Sequence, residues 1–117
     1  MPPMTAGLPL DTLADGEMRG FRIDGVEVLL CRVDGQYFAL ANTCTHARQA
    51  LSTGRLRGHE VVCPLHGARF DIRSGACLAA PAKRAVQTFP IRIEAGKIQI
   101  SVEGAIKPPV NRFGPMN

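Results

Sequence analysis

The chain has 117 residues, a formal net charge of +4 at pH 7, 45% hydrophobic residues and no tryptophan. That length gives one domain with a modest core, and no apolar run reaches the roughly eighteen residues a membrane helix needs. The basic residues neither form a compact run nor alternate with aromatic residues, which argues against a nucleic-acid partner.

Residues 1–17 read as an entry segment. Met1-Pro2-Pro3-Met4 offers no basic start, apolar stretch or twin arginine, so a cytoplasmic location is expected. Leu8, Leu10 and Leu13 are spaced for a short strand and a turn, and Asp15-Gly16 is a turn signal. Met18 to Ile23 reads as a strand. Asp24-Gly25 then signals a hairpin, because the favoured two-residue turn needs positive φ at both central positions. Val26 to Val33 is the return strand, with Val26, Val28 and Leu30 on one face and Leu29, Cys31 and Val33 on the other. Both faces are apolar, which predicts a central strand covered on two sides, with Cys31 as a small core residue. Asp34-Gly35 repeats the hairpin signal, and Gln36 to Ala41 is the third strand of a meander that delivers the chain to Cys44.

Here the composition changes. Cys44-Thr45-His46 and Cys63-Pro64-Leu65-His66 each hold one cysteine and one histidine, and sixteen residues, 47–62, separate them. Between them, Ala47-Arg48-Gln49-Ala50 has room for one short helical turn. Leu51 and Leu56 are expected beneath the site, and Gly54 and Gly58 permit tight turns. His59 has no thiolate at ligand spacing and reads as a surface or hairpin residue. Glu60 to Cys63 is a strand. Pro64 stiffens the second loop, and Gly67 lets backbone approach whatever the loop holds. Arg69 to Ile72 is a strand that turns at Ser74-Gly75. Cys77 receives no role. Ala79-Ala80-Pro81-Ala82 is a stiff apolar segment. From Gln87, Phe89, Ile91 and Ile93 alternate against Thr88, Arg92 and Glu94. After Ala95-Gly96, Ile98, Ile100 and Val102 alternate against Lys97, Gln99, Ser101 and Glu103. Residues 104–117, with three prolines, read as an extended tail. Short alternating strands between turn signals predict an all-β domain over residues 1–117.

A thiolate and a neutral imidazole on each of two loops can grip a metal centre from two sides. A Cys₂His₂ zinc site in a structural module uses the same residue types. Zinc fingers, however, usually draw both cysteines from one segment and both histidines from another. Chance clustering of thiols and surface histidines is the remaining alternative.

The two motifs, together with Gly67-Ala68-Arg69-Phe70-Asp71, resemble those of the Rieske family. The resemblance implies one Rieske-type 2Fe-2S cluster, with Cys44 and Cys63 on one iron and His46 and His66 on the other. It covers roughly Leu8 to Glu103. It implies antiparallel sheets in a base, with residues 43–84 inserted as a cluster-binding subdomain and Pro81 in a loop that covers the cluster. Respiratory members add a cysteine to each motif; Gln49 and Leu65 stand at those positions here, so their disulfide is absent. Ala68 and Phe70 stand where those members carry hydroxyls, and Ala47 stands where many ferredoxins have glycine. Oxygenase large subunits need a much longer chain and a second, mononuclear iron site.

The resemblance therefore narrows to the small ferredoxins of aromatic-ring-hydroxylating dioxygenase systems. It implies a monomeric one-electron carrier, not itself an enzyme. Electrons would come from a flavin-dependent ferredoxin reductase and pass to the Rieske centre of a terminal oxygenase, with docking near His46, His66, Arg48 and Pro81. A Rieske small subunit of an assimilatory nitrite reductase is the alternative. Charge bears on the partner as well. Residues 44–84 hold Arg48, Arg55, Arg57, Arg69, Arg73, Lys83 and Arg84 against Glu60 and Asp71, a net +5, while the rest of the chain is −1. That asymmetry favours a partner with an acidic face.

Overall fold

The computed structural model describes residues 6–44, 49–64, 67–79 and 84–102. Two hairpins build its centre. β2 (Met18–Ile23), β3 (Val26–Val33) and β4 (Gln36–Ala41) form an antiparallel meander. Its turns sit where the two Asp-Gly pairs predict them: Asp24 and Gly25 have φ of 48° and 79°, and Asp34 and Gly35 have 52° and 77°. Positive φ at both positions matches the turn to the right-handed twist of the strands.

Three antiparallel sheets result. β1 (Ala6–Pro9), β10 (Ile91–Glu94) and β11 (Lys97–Ile100) form a small sheet in the order β1-β11-β10. The meander plus β9 (Thr88–Phe89) forms the second, in the order β2-β3-β4-β9. β5 (Arg55–Arg57), β6 (Glu60–Val62), β7 (Arg69–Asp71) and β8 (Cys77–Ala79) pair in sequence as the third. Among the described residues the one helical element is a single 3₁₀ turn at Leu51–Thr53, and no helix is long and apolar enough to cross a membrane.

β3 explains the layering. Leu29, Cys31 and Val33 face one buried core with Leu51, Val61, Phe70, Ile72 and Cys77 of the third-sheet region. Val28 and Leu30 face another, with Phe89, Ile98 and Ile100. The meander is thus sandwiched, which is why its middle strand is apolar on both faces. The entry segment is pinned to it by polar contacts. The Tyr37 hydroxyl donates to the Leu10 carbonyl at 2.6 Å, and Arg32 Nη1 donates to that of Leu13 at 2.8 Å.

Some expectations fail, each for a local reason. The alternation read across 87–94 is broken at Pro90, which has no N–H to donate to a ladder. β9 pairs with β4, whereas β10 pairs with β11. As a result Thr88 is buried at 8% exposure and Ile93 is out at 52%, the reverse of the predicted faces. Ser101, expected outside, is fully buried. A helical turn forms at Leu51–Thr53; the turn expected over 47–50 falls partly on 47–48, which lie outside the described residues. β5 and β8 were not expected as strands. The 104–117 tail also lies outside the described residues.

Candidate metal centre

Cys44 follows β4 after two residues, and its N–H donates to the Gln49 carbonyl at 2.7 Å. Cys63 follows β6 directly, and its N–H donates to the Ala68 carbonyl at 2.7 Å. Each cysteine therefore closes the neck of its own loop through its backbone. Both side chains are buried, at 0% and 1% exposure. Both are free of disulfides, and both belong to one core group with Leu51, Ala68 and Phe70. Leu51 sits where expected, and Leu56 packs against the same group. His46 and His66 lie outside the described residues, as do Arg48 and Pro81.

The two loops touch at Gly54. A methyl group there would stand 1.9 Å from the Val62 carbonyl oxygen and 3.1 Å from Pro64 Cδ. Gly54 is required by this close approach and not by positive φ, since its φ is −91°. Thr53, Gly54 and Arg55 from one side, and Val62, Cys63, Pro64 and Gly67 from the other, line a cleft of about 300 Å³.

Residues that the motif reading passed over hold the first loop. The Asn42 amide donates to Ser52 Oγ at 3.1 Å, and its Oδ1 accepts the Ser52 N–H at 2.8 Å. The Asn42 N–H also donates to the Glu27 carbonyl at 3.1 Å, which ties the loop to β3. Gly20 leaves room for this amide, since a Cβ there would lie 2.6 Å from Asn42 Nδ2. The sequence signal is a buried-type asparagine just past a strand end, a residue that often bonds nearby backbone.

Behind the second loop, Asp71 accepts a fork from Arg73, at 3.0 Å from Nε and 2.9 Å from Nη2, and also the Arg73 N–H at 2.8 Å. Partial burial pushes the Asp71 carboxyl up, but these bonds, the Arg73 charge and nearby His59 together hold it below its ordinary value. The same turn meets residues 84–86. Val86 N–H donates to the Gly75 carbonyl at 2.9 Å, and a Cβ on Gly75, whose φ is +80°, would lie 2.0 Å from the Val86 oxygen. His59 is not drawn to the thiols. Its ring packs edge-on against Phe38 with centroids 5.8 Å apart.

The donor set fits a group that takes two thiolates. Of the four disulfide-free, buried thiols of one apolar core, Cys44 and Cys63 are the two at loop necks, and the described residues hold no cluster of three or more His, Cys, Asp or Glu ligands. Cys31 and Cys77 are buried in that core too. Burial pushes the Cys31 thiol up to about 12, so it stays protonated as a packing residue.

Comparison with known proteins bears directly on this site. The sequence matches the Rieske [2Fe-2S] domain over residues 6–90. It is 36% identical to the ferredoxin component of the naphthalene 1,2-dioxygenase/salicylate 5-hydroxylase systems of Ralstonia sp, over 80% of this chain and 90% of that one. Its fold matches the ferredoxin of carbazole 1,9a-dioxygenase from Nocardioides aromaticivorans IC177. The TM-score is 0.77 at 33% identity, covering 86% of this chain and 97% of the other. It also matches a structure of the complex of reduced oxygenase and oxidized ferredoxin in carbazole 1,9a-dioxygenase. There the TM-score is 0.77 at 25% identity, covering 92% and 96% of the two chains.

Proposed function

The chain belongs to the Rieske [2Fe-2S] domain family, and on that premise we propose that it is the ferredoxin of an aromatic-ring dioxygenase system, taking single electrons from a flavin-dependent reductase and delivering them to the terminal oxygenase. It carries one Rieske-type 2Fe-2S cluster. Cys44 and Cys63 are the ligands of one iron, and His46 and His66 those of the other. Such a cluster supplies reversible one-electron transfer when bound. The observation that carries the reading is the pair of buried, disulfide-free thiols at the necks of two touching loops. The names of the matched ferredoxin components support the carrier role.

The described residues do three things for such a site. Cys44 and Cys63 present sulfur from rigid backbone, because each N–H is already bonded across its loop. Leu51, Ala68 and Phe70 keep water from the sulfur side. Asn42 and Ser52 fix where the first loop leaves the meander. The chain acts as one domain, with residues 43–84 as its cluster-binding part and 104–117 as a tail. It works in the cytoplasm as a monomer, and partners dock near His46, His66, Arg48 and Pro81. The ferredoxin–oxygenase complex known for the carbazole enzyme supports contact with an oxygenase.

Reconstitution tests this. The purified protein should hold about two irons and two labile sulfides, and should relay electrons from a ferredoxin reductase to a terminal oxygenase with formation of oxidised substrate. Cys44→Ser and Cys63→Ser should lose the visible chromophore, whereas Cys31→Ala should keep it. A chromophore that survives Cys63→Ser refutes the ligand set. A fully loaded protein that no oxygenase oxidises refutes the carrier role.

A further inference from the structure

We propose that edge strand β5 carries a two-arginine strip, Arg55 and Arg57, that receives carboxylate side chains of the protein to which the electron passes; this rests on the carrier reading above. Antiparallel register puts Arg55 beside Val62, and Val62 beside Arg69. It puts Arg57 beside Glu60, and Glu60 beside Asp71. Directly paired residues share a face, so Arg55, Arg57, Glu60 and Arg69 lie on one face of the sheet with a buried Val62 between Arg55 and Arg69, while Leu56, Val61 and Phe70 lie on the other and pack in the core.

The arginines on this face are not equivalent. Arg69 is bonded to Glu60 at 3.0 Å, and Arg73, in the following turn, is held by Asp71 at 2.9 Å. The two carboxylates of this face are thereby matched to two guanidinium groups. Arg55 and Arg57 are exposed, and among the described residues neither has a carboxylate within ion-pair distance. A free guanidinium presents a planar fork that takes a carboxylate through two parallel hydrogen bonds. Position adds to this. Arg55 lines the cleft shared with Cys63, Pro64 and Gly67, so the strip begins at the rim of the site that holds the exchangeable electron. Arg57 continues it along the edge, beside Gly58. The regional charge excess thus has an address. Of Arg55, Arg57, Arg69 and Arg73, the first two have no ion-pair carboxylate among the described residues; they lie two residues apart on one strand, and Arg55 lines the cleft. Opposite charge on a partner would both steer encounter and set orientation there.

The test uses the loaded, reduced protein at low ionic strength. It is mixed by stopped flow with hexacyanoferrate(III), an anionic one-electron oxidant, or with hexaamminecobalt(III), a cationic one. R55Q/R57Q and the remote R22Q/R92Q lower the net charge equally. R55Q/R57Q should slow the anionic oxidant about threefold or more and speed the cationic one, while R22Q/R92Q should move either by less than about twofold. Equal effects from both pairs, or none, overturn the strip. The same variants are then mixed with the purified terminal oxygenase of a naphthalene dioxygenase system. R55Q/R57Q should lower the second-order rate about tenfold and flatten its salt dependence. R55K/R57K should retain the salt dependence but lose part of the rate. An oxygenase reduced equally fast by every variant overturns the strip alone. A wild-type protein that reduces no oxygenase overturns the carrier reading and, with it, the partner assigned to the strip.

Discussion

A methyl group at Gly54 would press the two cysteine-bearing loops apart. The added Cβ would stand 1.9 Å from the Val62 carbonyl oxygen and 3.0 Å from the carbonyl carbon. A comfortable C···O contact is about 3.3 Å, so the loops must separate by about 1.4 Å. The obstruction is backbone in a paired strand, since Val62 is the register partner of Arg55, and no side-chain rotation relieves it. Overpacking of this kind costs about 1–3 kcal/mol, and a shift this large against backbone belongs at the upper end, about 3 kcal/mol. For a domain of this size, the midpoint of thermal unfolding should fall by about 12 °C. Gly58→Ala is the control. Its Cβ would meet nothing within 4 Å, and only the positive φ of 58° opposes it, for about 1 kcal/mol and about 4 °C. The assay is thermal unfolding of the loaded protein, followed by visible and far-ultraviolet circular dichroism. Gly54→Ala should also lose chromophore before secondary structure, because the displaced backbone leads straight into Cys63. A Gly54→Ala protein that melts within about 3 °C of wild type and holds its full chromophore would refute the loop contact.

Three further outcomes are expected. Asp71 is held below its ordinary value, so its contribution is complete above the unfolded carboxylate value of about 3.9 and is lost as pH falls through the lower folded value. The stability gap between wild type and Asp71→Asn in denaturant titrations should therefore narrow below about pH 4, and a gap unchanged down to pH 2 would contradict the Arg73 pairing. Ala95 occupies a hairpin position at φ 53° where the Asp24-Gly25 and Asp34-Gly35 turns carry aspartate. Ala95→Gly should raise stability by about 0.5–1 kcal/mol, read as a higher denaturant midpoint with unchanged slope. Ala68 and Phe70 are buried and offer no hydroxyl to cluster sulfur, so voltammetry should place the reduction potential near the low end of the Rieske range, on the order of −150 mV. Ala68→Ser should raise it, and a wild-type value well above zero would show that these hydroxyls do not set the difference.

The sequence by itself determined what depends on neighbours along the chain. Asp24-Gly25 and Asp34-Gly35 specify left-handed turn residues, and the strands on either side follow with the predicted limits. Alternation in Val26–Val33 already showed two buried faces. The spacing of Cys44, His46, Cys63 and His66 pointed to a metal centre before any fold was known. Tertiary structure decided whatever depends on residues distant in sequence. β5 and β8 are three-residue strands that exist because β6 and β7 offer them hydrogen bonds. Thr88 is inside and Ile93 outside because Pro90 hands one strand to β4 and the next to β11. Gly20, Gly54 and Gly75 read alike as letters, yet each is needed where a different, remote group comes too close for a Cβ. The arginines of residues 55–73 likewise count equally toward net charge, but strand pairing seats Glu60 between Arg57 and Asp71, and its carboxylate then reaches the diagonal Arg69, so that among the described residues Arg55 and Arg57 have no carboxylate within ion-pair distance. Local conformational preference is written in adjacent residues, whereas which groups meet across a sheet is settled only when the strands pair and bury their apolar faces together.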